Sequence, residues 1–182
     1  MEAVQERGLA NWQVDAAHSE VGFAVRHLMV ANVKGRFQNL TADLQLEESD
    51  PTHSRIRVDI DAASIDTRSE QRDQHLRSAD FFDAENHPRI SFQSDRIERV
   101  SDDRYRVTGD LTIRGVTRQV SLDTEVSGPE KDPWGGERLG VSATTKIDRR
   151  DFGLTWNQAL ETGGLAVSHD VKINIELELI RQ

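Results

Sequence analysis

Apolar and polar residues alternate with a period of two along most of the chain. Val21, Phe23, Val25 and His27 share one phase, and Gly22, Ala24 and Arg26 the other. Ile56, Val58, Ile60 and Ala62 alternate with Arg57, Asp59 and Asp61, while Tyr105, Val107, Gly109, Leu111 and Ile113 alternate with Arg106, Thr108, Asp110 and Thr112. The runs from Val116 to Val126, from Leu139 to Ile147 and from Val171 to Leu179 keep the same period. Successive side chains of a strand point to opposite faces, so this pattern predicts antiparallel strands with one apolar and one polar face. The phase slips near Gln38 or Asn39, where a bulge is expected, and again between Phe92 and Ile97. Eight strands are expected, at 19–29, 34–47, 54–65, 89–100, 103–115, 116–127, 137–148 and 170–181. An even number of long, one-sided strands predicts an all-β protein, an eight-stranded antiparallel up-and-down barrel. A two-sheet sandwich has the same alternation and stands as the structural alternative.

Two segments leave this pattern. Thr67-Arg68-Ser69-Glu70 has capping-box spacing and predicts a short helix from about Arg68 to Ala79. Its apolar side is only Leu76, Ala79 and then Phe82, so it belongs over an end of the barrel, pinned by Leu76 and Phe81-Phe82. Asp151 to Asp170, with Phe152-Gly153, Trp156 and Gly163-Gly164, reads as a long loop of the length that usually carries function. Turn signals at Asp50-Pro51, Ser101-Asp102-Asp103, Gly115 and Gly128-Pro129 separate the strands, and no repeat or linker is visible. The expectation is one domain over 1–182, with its core at 11–181 and an N-terminal extension at 1–10.

Composition narrows the function classes. The 182 residues carry 32 Asp and Glu against 23 Lys and Arg, a net charge of -9, which argues against a nucleic-acid phosphate backbone as partner. A small anionic head group remains compatible with one local Arg cluster. Cysteine is absent, which removes disulfides, thiol nucleophiles and Cys-ligated zinc together. No apolar run approaches the ~20 residues of a spanning helix. Glu2 and Glu6 stand where an export signal would need a positive end, so a cytoplasmic protein is expected, or a periplasmic one if the sequence is a processed form.

The chain has no phosphate-binding glycine loop, dinucleotide fingerprint, nucleophile elbow or paired-His zinc motif. Among its six His, His27 lies on the apolar phase of the first strand, His75 on the helix and His169 before the last strand. A metal site from His27, His75, His169 and Asp73 is chemically open, although no pair has tight ligand spacing. Phe23, Phe37 and Phe92 sit on apolar strand faces, and Phe81, Phe82, Phe152 and Trp156 in the irregular segments. Small or medium residues at inward positions, Ala62, Gly109, Thr124, Ala143 and Thr145, leave room for a ligand inside a barrel.

Several motifs in order are similar to the YceI-like family. They are His18-Ser19 with Phe23-x-Val25-x-His27, Val33-x-Gly35-x-Phe37, and Arg72-Asp73-x-His75-Leu76-Arg77-Ser78-x-x-Phe81-Phe82-Asp83. Gly109-x-Leu111-Thr112-Ile113-Arg114-Gly115-Val116-Thr117 and Asp148-Arg149-x-Asp151-Phe152-Gly153 with Trp156 follow, so the resemblance covers Asn11 to Ile180. The resemblance implies an extended lipocalin-like barrel that binds a long isoprenoid or similar amphiphile, as carrier, storage or accessory protein, without established catalysis; no catalytic residue and no cofactor are expected. Alternation and aromatic placement nominate the pocket: Phe23, Val25, Phe37, Ile60, Phe92, Leu111 and Leu122 for the tail, with Leu76, Phe81, Phe82, Phe152 and Trp156 as lid. His27, Arg72 and His75 are nominated for the head group. The alternative is an enzyme acting on a lipid through His27, His75 and Asp73, directly or through a metal. The charged outward positions predict a monomer or a modest polar dimer.

Overall fold

The computed structural model describes residues 8–182. Eleven strand segments follow one another: β1 (Ala10–Val14), β2 (Glu20–His27), β3 (Ala31–Phe37), β4 (Leu40–Leu46), β5 (Arg55–Asp61), β6 (Ile65–Asp66), β7 (Arg89–Arg99), β8 (Arg104–Ile113), β9 (Val116–Lys131), β10 (Glu137–Asp148) and β11 (Val167–Arg181). One α-helix, α1 (Glu70–Arg77), lies between β6 and β7. The strands pair in the order β1-β4-β5-β7-β8-β9-β10-β11, and β1 returns to β11, with Trp12 opposite Arg181, to close the ring. That closing pair makes a barrel and not a sandwich.

Eleven segments form eight ribbons because three ribbons are kinked. β1 and β2 lie one after the other along the same edge of β11, where Val21 faces Ile175. β3 pairs with β2 and β4 with β1, and β6 continues β5 beyond a 3-10 turn at Ala62–Ser64 to pair with β3. The phase slip in 34–47 is thus a strand break, not a bulge. Ser64 holds it: its carbonyl accepts from Gln38 N–H at 3.2 Å and its hydroxyl from Asn39 N–H at 3.1 Å. The second slip is a bulge between Ser94 and Arg96, as the pattern implied. β1 escaped the alternation argument because five residues with one large apolar side chain, Trp12, hold too little period. Its first residue, Ala10, moves the start of the core one place ahead of the expected 11; positions 1–7 of the expected extension lie outside the described residues.

The helix is shorter than expected and is capped differently. Ser69, not Thr67, is the N-cap, accepting from Arg72 N–H at 3.4 Å. Arg68 has φ of 62°, and this left-handed step removes Thr67 from the cap position. Thr67 is buried and donates its hydroxyl to Asp73 Oδ1 at 2.5 Å, while accepting from Arg72 Nε at 2.8 Å. Arg72 and Asp73 therefore hold α1 to the end of β6. Phe81 is buried beyond the helix, with Leu76 and Phe82 partly buried against the same cluster.

The interior divides into clusters. The largest, around Phe37, Ile65, Phe81, Ile90 and Phe152, lies under α1. Trp12, Leu44 and Leu179 form a second, and Ile97, Tyr105 and Val107 a third. Two backbone approaches require glycine. A Cβ at Gly35 would lie 2.3 Å from the Phe23 ring, and one at Gly109 would lie 2.3 Å from the Gln93 carbonyl oxygen. At the β2–β3 turn, Val30 N–H donates to the His27 carbonyl at 3.1 Å, and Leu28 and Met29 have φ of 53° and 59°. Two positive φ values define a type I′ turn, usually built with Asn-Gly. Side-chain-bearing residues there cost about 1–2 kcal/mol each.

Candidate functional site

The inward phases enclose an apolar cavity of about 1000 Å³. Its wall is a direct consequence of period two. On β10 and β11 the facing pairs Val141–Leu177, Ala143–Ile175, Thr145–Ile173 and Ile147–Val171 all line it, while Lys146, Lys172, Asn174 and Glu176 point outward and are exposed. β11 has 15 residues. At ~3.3 Å per residue and the usual ~40° tilt, the barrel is roughly 35 Å tall, so a cavity along it suits a long, thin ligand.

All fifteen nominated residues line the cavity: Phe23, Val25, His27, Phe37, Ile60, Arg72, His75, Leu76, Phe81, Phe82, Phe92, Leu111, Leu122, Phe152 and Trp156. Of the small residues expected to leave room, Thr124, Ala143 and Thr145 lie on the wall. Ala62 and Gly109 do not; Ala62 sits in the 3-10 turn, and the space beside Gly109 is filled by the Gln93 backbone and the Phe92 ring.

Aromatic rings close the end under α1. Phe37 contacts Phe23 at 5.8 Å and meets Phe82 edge to face at 5.7 Å. Trp156 packs at 5.3 Å from Phe81, and His75 stands edge to face against both, 4.7 Å from Trp156 and 5.1 Å from Phe81. His75 Nε2 lies 2.8 Å from Asp80 Oδ2, which orients the ring as part of the wall. His27 and Arg72 are exposed and also line the cavity, so they mark where it reaches the surface at this end. At the opposite end the exposed lining residues include Glu48, Asp102 and Asp103 beside Arg99 and Arg181. One rim carries the arginines Arg26 and Arg72, and the other is predominantly acidic.

Arg149 and Trp12 are among the wall residues that were not nominated. Arg149 is buried and lines the cavity, yet its donors go to backbone: Nε to the Ser168 carbonyl at 2.9 Å, and Nη1 to the Leu154 and Trp156 carbonyls, each at 2.8 Å. Desolvation holds its pKa below the ordinary arginine value. Its position beside Asp148 on a polar phase concealed it; the Asp148-Arg149-x-Asp151-Phe152-Gly153 motif was the available signal. Trp12, at the far end of the wall, carries the one buried side-chain polar atom without a hydrogen-bond partner among the described residues, its indole Nε1.

Among the described residues, those proposed for a metal site, His27, His75, His169 and Asp73, do not come together as a ligand group. Asp73 is engaged with Thr67 and His75 with Asp80. Among the described residues, the group that brings three possible ligands together is Asp15, His18 and Glu178. Arg138 already occupies it, donating to Asp15 at 3.0 Å, to Asp132 at 3.0 Å and to Glu178. His18 Nδ1 lies 2.9 Å from Asp15 Oδ2. His18 and Arg138 hold the Asp15 carboxyl below its usual range, and Asp15 raises the His18 pKa in return.

The sequence model of the YceI-like domain matches residues 12–179. The chain belongs to the YceI-like domain family. It is 36% identical over 171 residues to the UPF0312 protein SA2479 of Staphylococcus aureus, covering 93% of this chain and 97% of that protein. With the UPF0312 protein plu2095 of Photorhabdus laumondii it shares 37% over 169 residues, 92% of this chain and 85% of the relative. The crystal structure of a Campylobacter jejuni YCEI protein superimposes with a TM-score of 0.75 at 35% identity, covering 92% of this chain and 96% of that one. The fold is shared with a polyisoprenoid binding domain from Saccharophagus degradans, at a TM-score of 0.71 and 17% identity, covering 96% of this chain and 99% of that domain. The YceI-like barrel is thus the extended, lipocalin-like ring that alternation and motif order anticipated.

Proposed function

We propose that this YceI-like protein binds the tail of a long-chain isoprenoid or similar amphiphilic lipid in its barrel and serves as a carrier, storage or accessory protein. The observation that carries this reading is the long cavity, whose wall is mainly aliphatic and aromatic between its two polar rims. Burial of an acyl or prenyl chain there gains about 25 cal/mol per Å² of apolar surface removed from water. Apolar walls discriminate weakly between tails of similar width, so a series of chain lengths should bind. The polyisoprenoid-binding character of the Saccharophagus degradans domain, which shares this fold, supports the same ligand class. The Arg72 guanidinium and the His27 imidazole at one rim offer hydrogen-bond donors suited to a polar head group that stays at the surface. A binding role also agrees with the engagement of Asp73 by Thr67 and of His75 by Asp80 in local hydrogen bonds.

The test is native mass spectrometry and solvent extraction of the purified protein, followed by loading with polyprenyl alcohols of increasing length. Stoichiometric uptake, abolished by residues that fill the cavity, is the expected result. A protein that carries no lipid as purified and takes up none on loading would overturn the proposal.

A further inference from the structure

Of the seven large apolar residues that the described surface exposes, four lie at one corner: Leu28, Met29, Val30 and Leu165. The first three are 42%, 59% and 78% exposed. Leu28 N–H donates to the Ala166 carbonyl at 2.9 Å, which sets Leu165 beside the β2–β3 turn. Leu28 and Met29 occupy the two positive-φ positions of that turn, where Asn-Gly would be relaxed and water-compatible. Backbone strain combined with exposed apolar side chains gives the fold nothing, and such strain persists where function uses it.

Basic residues stand directly behind this tip. Three of the chain's four lysines fall in one cross-strand row: Lys34 is opposite Ala24, Ala24 opposite Lys172, and Lys172 opposite Lys146. Arg26 lies between the row and the tip and donates to the Met29 carbonyl through Nε and Nη2. Among the described residues Lys34, Lys172 and Arg26 have no carboxylate partner, and only Lys146 is paired, with Asp170 at 3.7 Å. The opposite end of the barrel is rich in acid, with Glu48, Asp102 and Asp103 at its rim. The corner is also continuous with the cavity, since Arg26, His27, Val33 and Val167 line it.

We propose that this corner docks on an anionic lipid bilayer, with the Leu28-Met29-Val30 tip in the acyl boundary and Arg26 and the lysine row at the head groups. The spacing fits. Interfacial elements bury their apolar part by about 5–10 Å. Arg26 is three residues and Lys34 five residues from Met29, about 10 and 16 Å along a strand, and long basic side chains reach forward to head groups. Consecutive apolar residues at a turn project in several directions and form no flat face, which suits a fluid medium better than a protein groove. With a net charge of -9 the molecule as a whole is repelled by such a surface, so the unequal ends also impose orientation, cationic rim toward the membrane. The proposal concerns the outer surface and holds whatever the cavity carries.

The experiment is flotation of the purified chain with vesicles of phosphatidylcholine and phosphatidylglycerol in equal proportion. It compares the wild type, Leu28→Asn/Met29→Gly and Lys34→Glu/Lys172→Glu. Asn-Gly fits the type I′ turn, so the first variant should melt no lower than wild type and its result reports docking, not folding. Roughly tenfold weaker vesicle binding by each variant is expected, since each removes most of one of the two contributions. Polyprenyl alcohol delivered in detergent should still load both variants if the cavity reading is right, which keeps the two proposals separable. No vesicle binding by the wild type overturns the docking proposal. So does binding within about twofold of wild type in both variants, or a wild-type dimer that the tip variant dissolves while vesicles are ignored.

Discussion

Phe82→Ala separates a ring that covers the cavity from one that supports the core. Phe82 follows α1, its N–H donating to the Leu76 carbonyl at 3.0 Å, and its ring meets Phe37 edge to face at 5.7 Å. Both rings line the cavity, but Phe82 is only partly buried, whereas its neighbour Phe81 is 6% exposed and belongs to the buried cluster. Truncating a fully buried Phe costs about 3–5 kcal/mol. A partly buried ring lacks part of that contact shell, so Phe82→Ala should cost about 2 kcal/mol, including ~1 kcal/mol for the aromatic pair. At ~2–4 °C per kcal/mol for a domain of this length, Tm should fall by about 4–8 °C. Phe81→Ala should cost about 3–5 kcal/mol and shift Tm further. Thermal unfolding of both variants, with bound lipid measured by mass spectrometry on the same samples, tests this. The expected outcome is a modest Tm loss with reduced lipid retention for Phe82→Ala. If Phe82→Ala lowers Tm as far as Phe81→Ala and leaves lipid content unchanged, Phe82 is core and the cavity end has been misassigned.

Further outcomes follow from the geometry. Thr145→Phe adds a ring to the middle of the cavity wall beside Ile173. It should cost no more than about 1–3 kcal/mol in denaturant unfolding while abolishing polyprenyl loading; loading at the wild-type level would show that the ligand does not traverse this point. Arg149→Met strips the Leu154, Trp156 and Ser168 carbonyls of their donor. A loss of about 3 kcal/mol is expected, with faster hydrogen exchange across 154–168; a neutral effect would mean those carbonyls find other donors. The carboxyls of Asp15, Asp132 and Asp148 are held below the unfolded value of 3.8, Asp148 to about 2 by Arg150. Their contribution is complete above 3.8 and disappears as pH falls toward 2, so Tm should drop across that window. His18 has the opposite sign: raised by Asp15 above 6.5, it favours the fold below that pH and loses this as pH rises through its folded value. Arg138→Met removes a shared partner of Asp15 and Asp132 and should flatten the acid limb measured by calorimetry; an unchanged slope would assign the acid sensitivity elsewhere.

Period two determined a great deal by itself. It specified which face of each strand is apolar, and that choice places Phe23, Ile60, Leu111 and Leu122 on the cavity wall whatever the order of strands. Motif order supplied the family, and the placement of aromatic residues in the two irregular segments nominated the end at Phe81, Phe82, Phe152 and Trp156. Local chemistry was less decisive: Thr67 satisfies the capping-box pattern, yet a buried bond to Asp73 removes it from the cap and Ser69 replaces it. Closure was decided only in three dimensions, because the β1–β11 pair joins residues separated by nearly the whole chain and leaves no periodic trace in a five-residue strand. Arg149 and the lysine row share that invisibility. A buried arginine between Asp148 and Arg150 reads as surface until its donors meet carbonyls of a distant loop. Lys34, Lys146 and Lys172 become one surface only when register sets β3, β2, β11 and β10 side by side. Alternation is written by neighbouring residues and survives any topology, whereas hydrogen-bond partners and charge patches depend on which strands register brings together.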